Sequence, residues 1–278
     1  MKRIDNCLSR LKPSHCTLMD AAAAAALEAG HIINKLYEQP HMIRYKGSID
    51  LVTEADTASE EIILEALSQA ASDIPVLAEE SSSGIQEIPA GQVWIVDPLD
   101  GTTNFAHGFP WFCISIALME AGMVRLGVIY CPVQDELFCA GHRAGAWLNG
   151  RPIKTTRESQ LSRSLLATGF PYDVQKHPDP VIASLKRMLT RAQGIRRAGA
   201  AAADLAYVAC GRLDGFWEIK LKPWDTAAGL LLVEEAGGKV TDFMEKPYSP
   251  FVPEILASNG LIHEDMAALL RDFSGHMS

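Results

Sequence analysis

The chain has 278 residues, 48% of them apolar, and a formal net charge of −9 at pH 7. That apolar content suffices for one large core or two lobes and excludes a disordered chain. An acidic chain whose densest cationic spot is Arg196-Arg197 also lacks a nucleic-acid footprint.

The N-terminal stretch Met1-Lys2-Arg3-Ile4-Asp5-Asn6 mixes charges of both signs, and the apolar run Ala21 to Leu27 behind it is short and mild. Neither export nor membrane insertion is expected. Six cysteines (Cys7, Cys16, Cys113, Cys131, Cys139, Cys210) are scattered without a Cys-x-x-Cys pair or a histidine at zinc spacing, which predicts reduced thiols in a cytoplasm. Leu18 to Tyr37, rich in alanine with Leu27, Ile32, Ile33 and Leu36 at helical spacing, predicts a long helix ending near Gln39-Pro40. From Lys46 to Asp56 a loop enters a short strand and then a helix whose apolar side carries Ile62, Ile63, Leu64 and Leu67. Asp56 stands at that helix start, where an aspartate followed by Glu60 reads as an ordinary cap. Ile74 to Glu80 reads as a strand that delivers Glu79 and Glu80 ahead of a loop from Ser81 to Gly84, and adjacent acids at a strand end are commonly a solvated rim.

Val93-Trp94-Ile95-Val96 is a short apolar run expected to form a buried strand ending at Asp97. Pro98 pushes Asp97 towards extended geometry, so Asp97 and Asp100 are expected to project from a tight turn, three residues apart. Like charges confined to one partly desolvated volume cost several kcal/mol unless a cation neutralises them. Hard oxygen ligands suit Mg²⁺, which keeps waters and takes carboxylates together with substrate phosphate. If Gly101-Thr102-Thr103 opens a helix, its N–H groups offer an anion site.

Trp111 to Leu118, Val124 to Cys131 and Asp135 to Ala140 predict an antiparallel meander, followed by an Asn149-Gly150 turn. Phe170 to Pro180 reads as a proline-rich loop. The chain divides into a lobe over residues 1–155 and a second over 156–278. In the second, Gly194 to Tyr207 reads as strand, glycine turn and helix, Leu213 to Ile219 as a strand carrying Glu218, and Trp224 to Glu235 as a helix stopped by Gly237-Gly238. Asp225 there reads locally as a cap.

Taken jointly, four strings resemble the inositol monophosphatase family of lithium-sensitive, Mg²⁺-dependent phosphatases. They are Asp97-Pro98-Leu99-Asp100-Gly101-Thr102-Thr103-Asn104-Phe105; Lys46 followed by Asp50-Leu51-Val52-Thr53-Glu54-Ala55-Asp56; Ala78-Glu79-Glu80, with Ala78 where the family has glycine; and Trp224-Asp225-Thr226-Ala227-Ala228-Gly229 followed by Glu235-Ala236-Gly237-Gly238. A special φ at Ala78 would be strained. The resemblance implies an α+β to α/β fold, a layered α-β-α-β-α sandwich of two lobes like fructose-1,6-bisphosphatase, with most metal ligands on the first lobe and the second closing the site. It implies Mg²⁺ held by Glu79, Asp97, the Leu99 carbonyl, Asp100 and Asp225, and catalysis involving Thr102, Asp56 and Glu79. Substrate contacts would come from Asp100, Gly101, Thr102, Ala201, Glu218 and Asp225. A cytoplasmic homodimer acting on a small phosphomonoester is expected, with no nucleic acid and no membrane as partner. The Thr103-Asn104-Phe105 ending and Glu218 resemble the inositol branch. Fructose bisphosphate, histidinol phosphate and nucleotide phosphates are the alternative substrates, and a regulatory binding protein of this fold is the alternative role.

Overall fold

A strand that is apolar at consecutive positions needs cover on both faces, and this chain supplies three helical layers for two sheets. The computed structural model describes residues 3–37, 39, 44–45, 51–81 and 91–274. Residues 46–50 and 82–84 of the sequence motifs and loops named above lie outside them.

A short α1 (Asp5–Leu8) leads into α2 (Pro13–Leu36), and β1 (Arg44–Tyr45) pairs antiparallel with β2 (Leu51–Val52) ahead of α3 (Glu54–Ala70). The large sheet takes β3 (Val76–Ala78), β4 (Gln92–Asp100) and, after the short helix α4 (Thr102–Ala106), β5 (Cys113–Glu120), β6 (Met123–Cys131), β7 (Glu136–Gly141), β8 (Gly145–Leu148) and β9 (Arg151–Pro152). These seven strands lie in chain order, and only the β3–β4 pair is parallel. The chain then runs through β10 (Leu165–Thr168), α5 (Pro178–Leu189), β11 (Gly194–Arg196), α6 (Ala201–Ala209), β12 (Gly215–Ile219), α7 (Pro223–Glu235), β13 (Lys239–Thr241), β14 (Glu254–Ser258) and α8 (His263–Leu270). Its five strands are ordered β11-β10-β12-β14-β13.

Alternate residues along these strands sort into separate cores. Trp94, Val96, Ile114 and Ile116 pack with α2 and α3, whereas Val93, Ile95, Ala117 and Met119 pack with α6 and α7. The same two helices cover Phe216 and Ala257 of the small sheet, whose other face presents Trp217 and Leu256 to α5 and α8. The layer order is therefore helix pair, seven strands, helix pair, five strands, helix pair, which is the sandwich that the resemblance implied.

Several elements depart from the sequence reading. Pro13 sits in the first turn of α2, so that helix begins five residues before the expected Leu18 and spans 24 residues. It is long and apolar enough to cross a bilayer by length and composition, yet half of its most apolar window is buried inside the molecule. The proline-rich stretch holds the start of α5, because Pro178 and Pro180 stand in a first turn where a missing N–H costs nothing. Strand β4 does not end at Asp97 but continues to Asp100 through an irregularity. Ala78 is a strand residue paired with Val96 and has no positive φ, so the glycine of the family motif is dispensable here.

Gly127 of β6 lies so close to α7 that an added Cβ would sit 3.0 Å from the Ala228 carbonyl oxygen and 3.2 Å from its Cα. Backbone cannot yield as a side-chain tip can. Gly127→Val should therefore lower stability by about 1–3 kcal/mol in urea unfolding through overpacking of the sheet–helix contact; an unchanged midpoint would show that α7 can slide.

Candidate active site

The irregularity in β4 determines where two carboxylates point. Asp97 pairs with Ser115 and Asp100 with Cys113, so three steps along β4 match two along β5. One extra residue restores the parity that an odd spacing would break, and both aspartates emerge on the face shared with α6 and α7. Pro98 is tolerated because a bulge has no ladder bond for it to donate. The Leu99 N–H donates to Asp97 Oδ1 at 3.0 Å, and Ser59 Oγ donates to the Pro98 carbonyl at 2.7 Å, fixing the bulge from α3.

Gly101 follows with φ +96, and a Cβ there would lie 2.9 Å from the Trp111 carbonyl oxygen, so only glycine fits before α4. Thr102 Oγ1 lies 2.8 Å from Asp56 Oδ1 and 3.0 Å from the Leu99 carbonyl oxygen. Asp56 Oδ2 accepts from both the Thr53 N–H at 2.8 Å and Thr53 Oγ1 at 2.7 Å. Capping and site membership are thus the same geometry: the residue that closes the capping box of α3 also orients Thr102.

The opposite wall comes from the layer between the sheets. Asp100 Oδ2 accepts from the Ala202 N–H at 2.7 Å and from the Cys113 thiol at 3.6 Å. Asn104 Nδ2 donates to the carbonyls of Trp111 at 2.7 Å and Ala198 at 2.8 Å, tying α4 to the turn before α6. Asp225 Oδ2 accepts from the Lys222 N–H at 2.6 Å at the start of α7.

Of the positions expected from the sequence, Glu79, Asp100, Gly101, Thr102, Ala201, Glu218 and Asp225 line one cleft of about 400 Å³. Asp56, Asp97 and Leu99 are buried just behind its wall. The cleft also includes residues that sequence reasoning missed, among them Gly169, Tyr172, Arg197, Lys220 and Trp224. Arg197 stacks 4.9 Å over the Phe170 ring, and Lys220 Nζ donates to Asp173 at 2.6 Å, which holds the Phe170–Asp173 segment over the cleft. Gly169 leaves room for the Glu218 carboxylate, whose Oε2 lies 2.1 Å from where a Cβ would stand. Asp204, also unread in the sequence, is buried beneath with Oδ1 lacking a hydrogen bond among the described residues.

Burial first, then the charges of Glu79, Asp100 and Asp225, pushes the Asp97 carboxyl well above the ordinary carboxylate range. Burial raises Asp100 to about 6 against the pull of the Ala202 N–H, and burial with the Asp100 charge raises Asp225 to about 7. Glu218 is raised by burial and then by Asp225 and Asp204, with Arg197 opposing. Asp56 is raised by burial, with the Thr53 and Thr102 hydrogen bonds opposing. Among the described residues no three of these groups close into a ready-made cage; a hard cation that keeps waters and substrate oxygens needs none.

A carboxyl raised from 3.8 to about 6 binds its proton more tightly folded than unfolded, so its contribution to stability is whole below pH 4 and is lost as pH rises through 6. In protein stripped of divalent cations, Asp100→Asn should therefore add on the order of 3 kcal/mol at pH 8 and almost nothing at pH 4. Thermal melts across that range check it; a pH-independent difference would assign the gain to packing.

The pattern of the inositol monophosphatase family matches residues 16–274. An inositol-1-monophosphatase from Synechocystis sp. is 44% identical over 91% of this chain and 88% of its own length. The Nus factor SuhB of Escherichia coli K12 is 39% identical over 92% of this chain and 96% of its own. The crystal structure of the extragenic suppressor protein SuhB from Bartonella henselae superposes with a TM-score of 0.86 at 41% identity, covering 92% of this chain and 98% of that one. With a family match along nearly its whole length and the same fold as a relative of this identity, the chain belongs to the inositol monophosphatase family.

Proposed function

We propose that the protein is a Mg²⁺-dependent phosphomonoesterase whose substrate is inositol monophosphate. The observation that carries this is the crowding of Glu79, Asp97, Asp100 and Asp225 around one cleft, where Asp97 feels the other three charges. Such a set is poorly compatible with an anionic substrate unless divalent cations neutralise it, and its all-oxygen chemistry fits Mg²⁺. Glu79, Asp97, Asp100, Asp225 and the Leu99 carbonyl would hold the metal, which when bound supplies charge neutralisation and a more acidic water.

The chain's own groups do the rest. Asp56 Oδ1 accepts the Thr102 hydroxyl hydrogen bond, so Thr102 Oγ1 turns its lone pairs towards the cleft and can hold an attacking water in place. The Gly101 and Thr102 amides would receive the phosphoryl oxygens. Glu218, buried and 7% exposed, and Ala201 stand where hydroxyls of a polyol would lie. The cleft mouth carries Lys220 and Lys222, which favour entry of an anion. Residues 1–155 would bring most metal ligands and residues 156–278 the closing wall, in a cytoplasmic homodimer.

A second reading rests on the relatives named Nus factor SuhB: the same fold can serve as a regulatory binding protein. Intact carboxylates at every expected position favour retained catalysis beside any such role. Phosphate release should require added Mg²⁺, stop on chelation, and fall at least about a hundredfold in Asp100→Asn with the fold preserved. Turnover that survives exhaustive chelation would overturn the metal assignment, and a panel including fructose bisphosphate, histidinol phosphate and nucleotide phosphates decides the substrate. Glu218→Gln should lower kcat/KM for inositol monophosphate roughly ten- to a hundredfold while sparing phenyl phosphate, because only the former offers hydroxyls to this side chain. Equal losses on both substrates would move Glu218 into the phosphate machinery.

A further inference from the structure

The second large pocket is opposite in character to the first. It is an open groove of about 580 Å³ lined by Arg10, Lys12, His15, Arg125, His142 and Arg143, with Glu120 as its one acid, in a chain of net charge −9; Arg10, Lys12, His142 and Arg143 are exposed. These side chains come from far-apart segments: the link from α1 to α2, the first turn of α2, β6, and the turn from β7 to β8. Leu11 packs closely on Gly141, its Cδ2 2.2 Å from where a Cβ would be, which seats Arg10 and Lys12 beside His142 and Arg143. The basic lining is therefore a product of the fold and not a run in the sequence.

The charges in it are only partly spent on one another. Glu120 Oε2 sits 3.7 Å from His15 Nε2 and 3.6 Å from Arg125 Nε, so one carboxylate is shared between two partners at ion-pair range. Arg125 Nε is buried and makes no hydrogen bond among the described residues. Arg10 is held 5.1 Å over the Trp147 ring, a contact that orders the guanidinium without cancelling its charge. Glu235 anchors the neighbouring turn by accepting from the Arg143 N–H at 2.6 Å and the Gly145 N–H at 2.9 Å, and its Oε1 also lies 3.9 Å from His142 Nδ1 at the edge of the groove. The four permanent cations outnumber the single lining carboxylate by three. Holding them together costs free energy that an anion would relieve.

We propose that this groove is a binding site for a small polyphosphorylated anion, opposite in sign to the net positive charge of its lining. The site is separate from the acidic cleft. Strand β5 runs from Cys113, whose thiol reaches Asp100, to Glu120 in the basic groove, about 24 Å at ~3.4 Å per residue.

The test is titration calorimetry of inorganic tripolyphosphate into the full chain freed of divalent cations, a condition in which the carboxylate cleft repels anions. The parent should bind one equivalent saturably and more weakly as salt rises. Lys12→Ala combined with Arg143→Asn should weaken binding at least tenfold while phosphatase turnover stays within twofold. Asparagine suits position 143, where φ is +63. Arg125→Gln, tested separately with a circular dichroism check of folding, should weaken binding similarly. Equal affinity in parent and both variants would overturn the assignment, as would the absence of saturable binding by the parent. Binding of anionic vesicles or RNA without binding of tripolyphosphate would overturn it too.

Discussion

Everything in the acidic cleft depends on a single inserted residue in β4. Without the bulge, Asp97 and Asp100 would stand on opposite faces of the large sheet, one towards α2 and α3 and the other towards α6 and α7. With it, both point into the layer between the sheets, where the amide of Ala202 meets Asp100. Proline is the residue such a position tolerates, and the short bond from Ser59 to the Pro98 carbonyl holds the bulge against relaxation.

The second constraint is electrostatic. Carboxylates this close destabilise one another and the fold, and the protein offsets part of that cost with backbone amides, helped by Arg197 at Glu218 and Lys222 at Asp225. Asp56, Asp97, Asp100 and Asp225 each accept a main-chain N–H, from Thr53, Leu99, Ala202 and Lys222 respectively. A lysine or arginine in their place would occupy the oxygens for good, whereas an N–H fixes one oxygen and leaves the other able to bind a cation. Residual strain of this kind is typical of sites whose function and stability pull in opposite directions.

Much of this was legible in the sequence and some was not, for physical reasons. The strings around Asp56, Glu79, Asp97 to Phe105 and Asp225 bring their residues into one neighbourhood because local structure carries each to an element end. The bulge was illegible because Asp-Pro-x-Asp-Gly has the composition of a turn, and only pairing with β5, a nonlocal partner, keeps it a strand. Helix α5 hid behind Pro178 and Pro180, which signal a loop and a helix start equally well. Arg197 was visible only as half of a basic pair; its place in the cleft follows from stacking on Phe170. Asp204 looked like any acid early in a helix, and its burial is set by the packing of α6 between two sheets.

The two helix-start aspartates show why local and functional readings of a residue need not compete. Asp56 and Asp225 each occupy the third position of a helix and accept the N–H of the N-cap residue that precedes it. That bond restricts the side-chain rotamer and directs the second carboxylate oxygen away from the helix. For Asp56 the second oxygen meets Thr102, and for Asp225 it faces the cleft that Asp100 and Glu218 share. A cap is thus a means of aiming a carboxylate with no additional side chain to hold it. The aimed groups start from α3, β4 and α7, three consecutive layers, and the stacking of helix pair on large sheet on helix pair brings those three starts together.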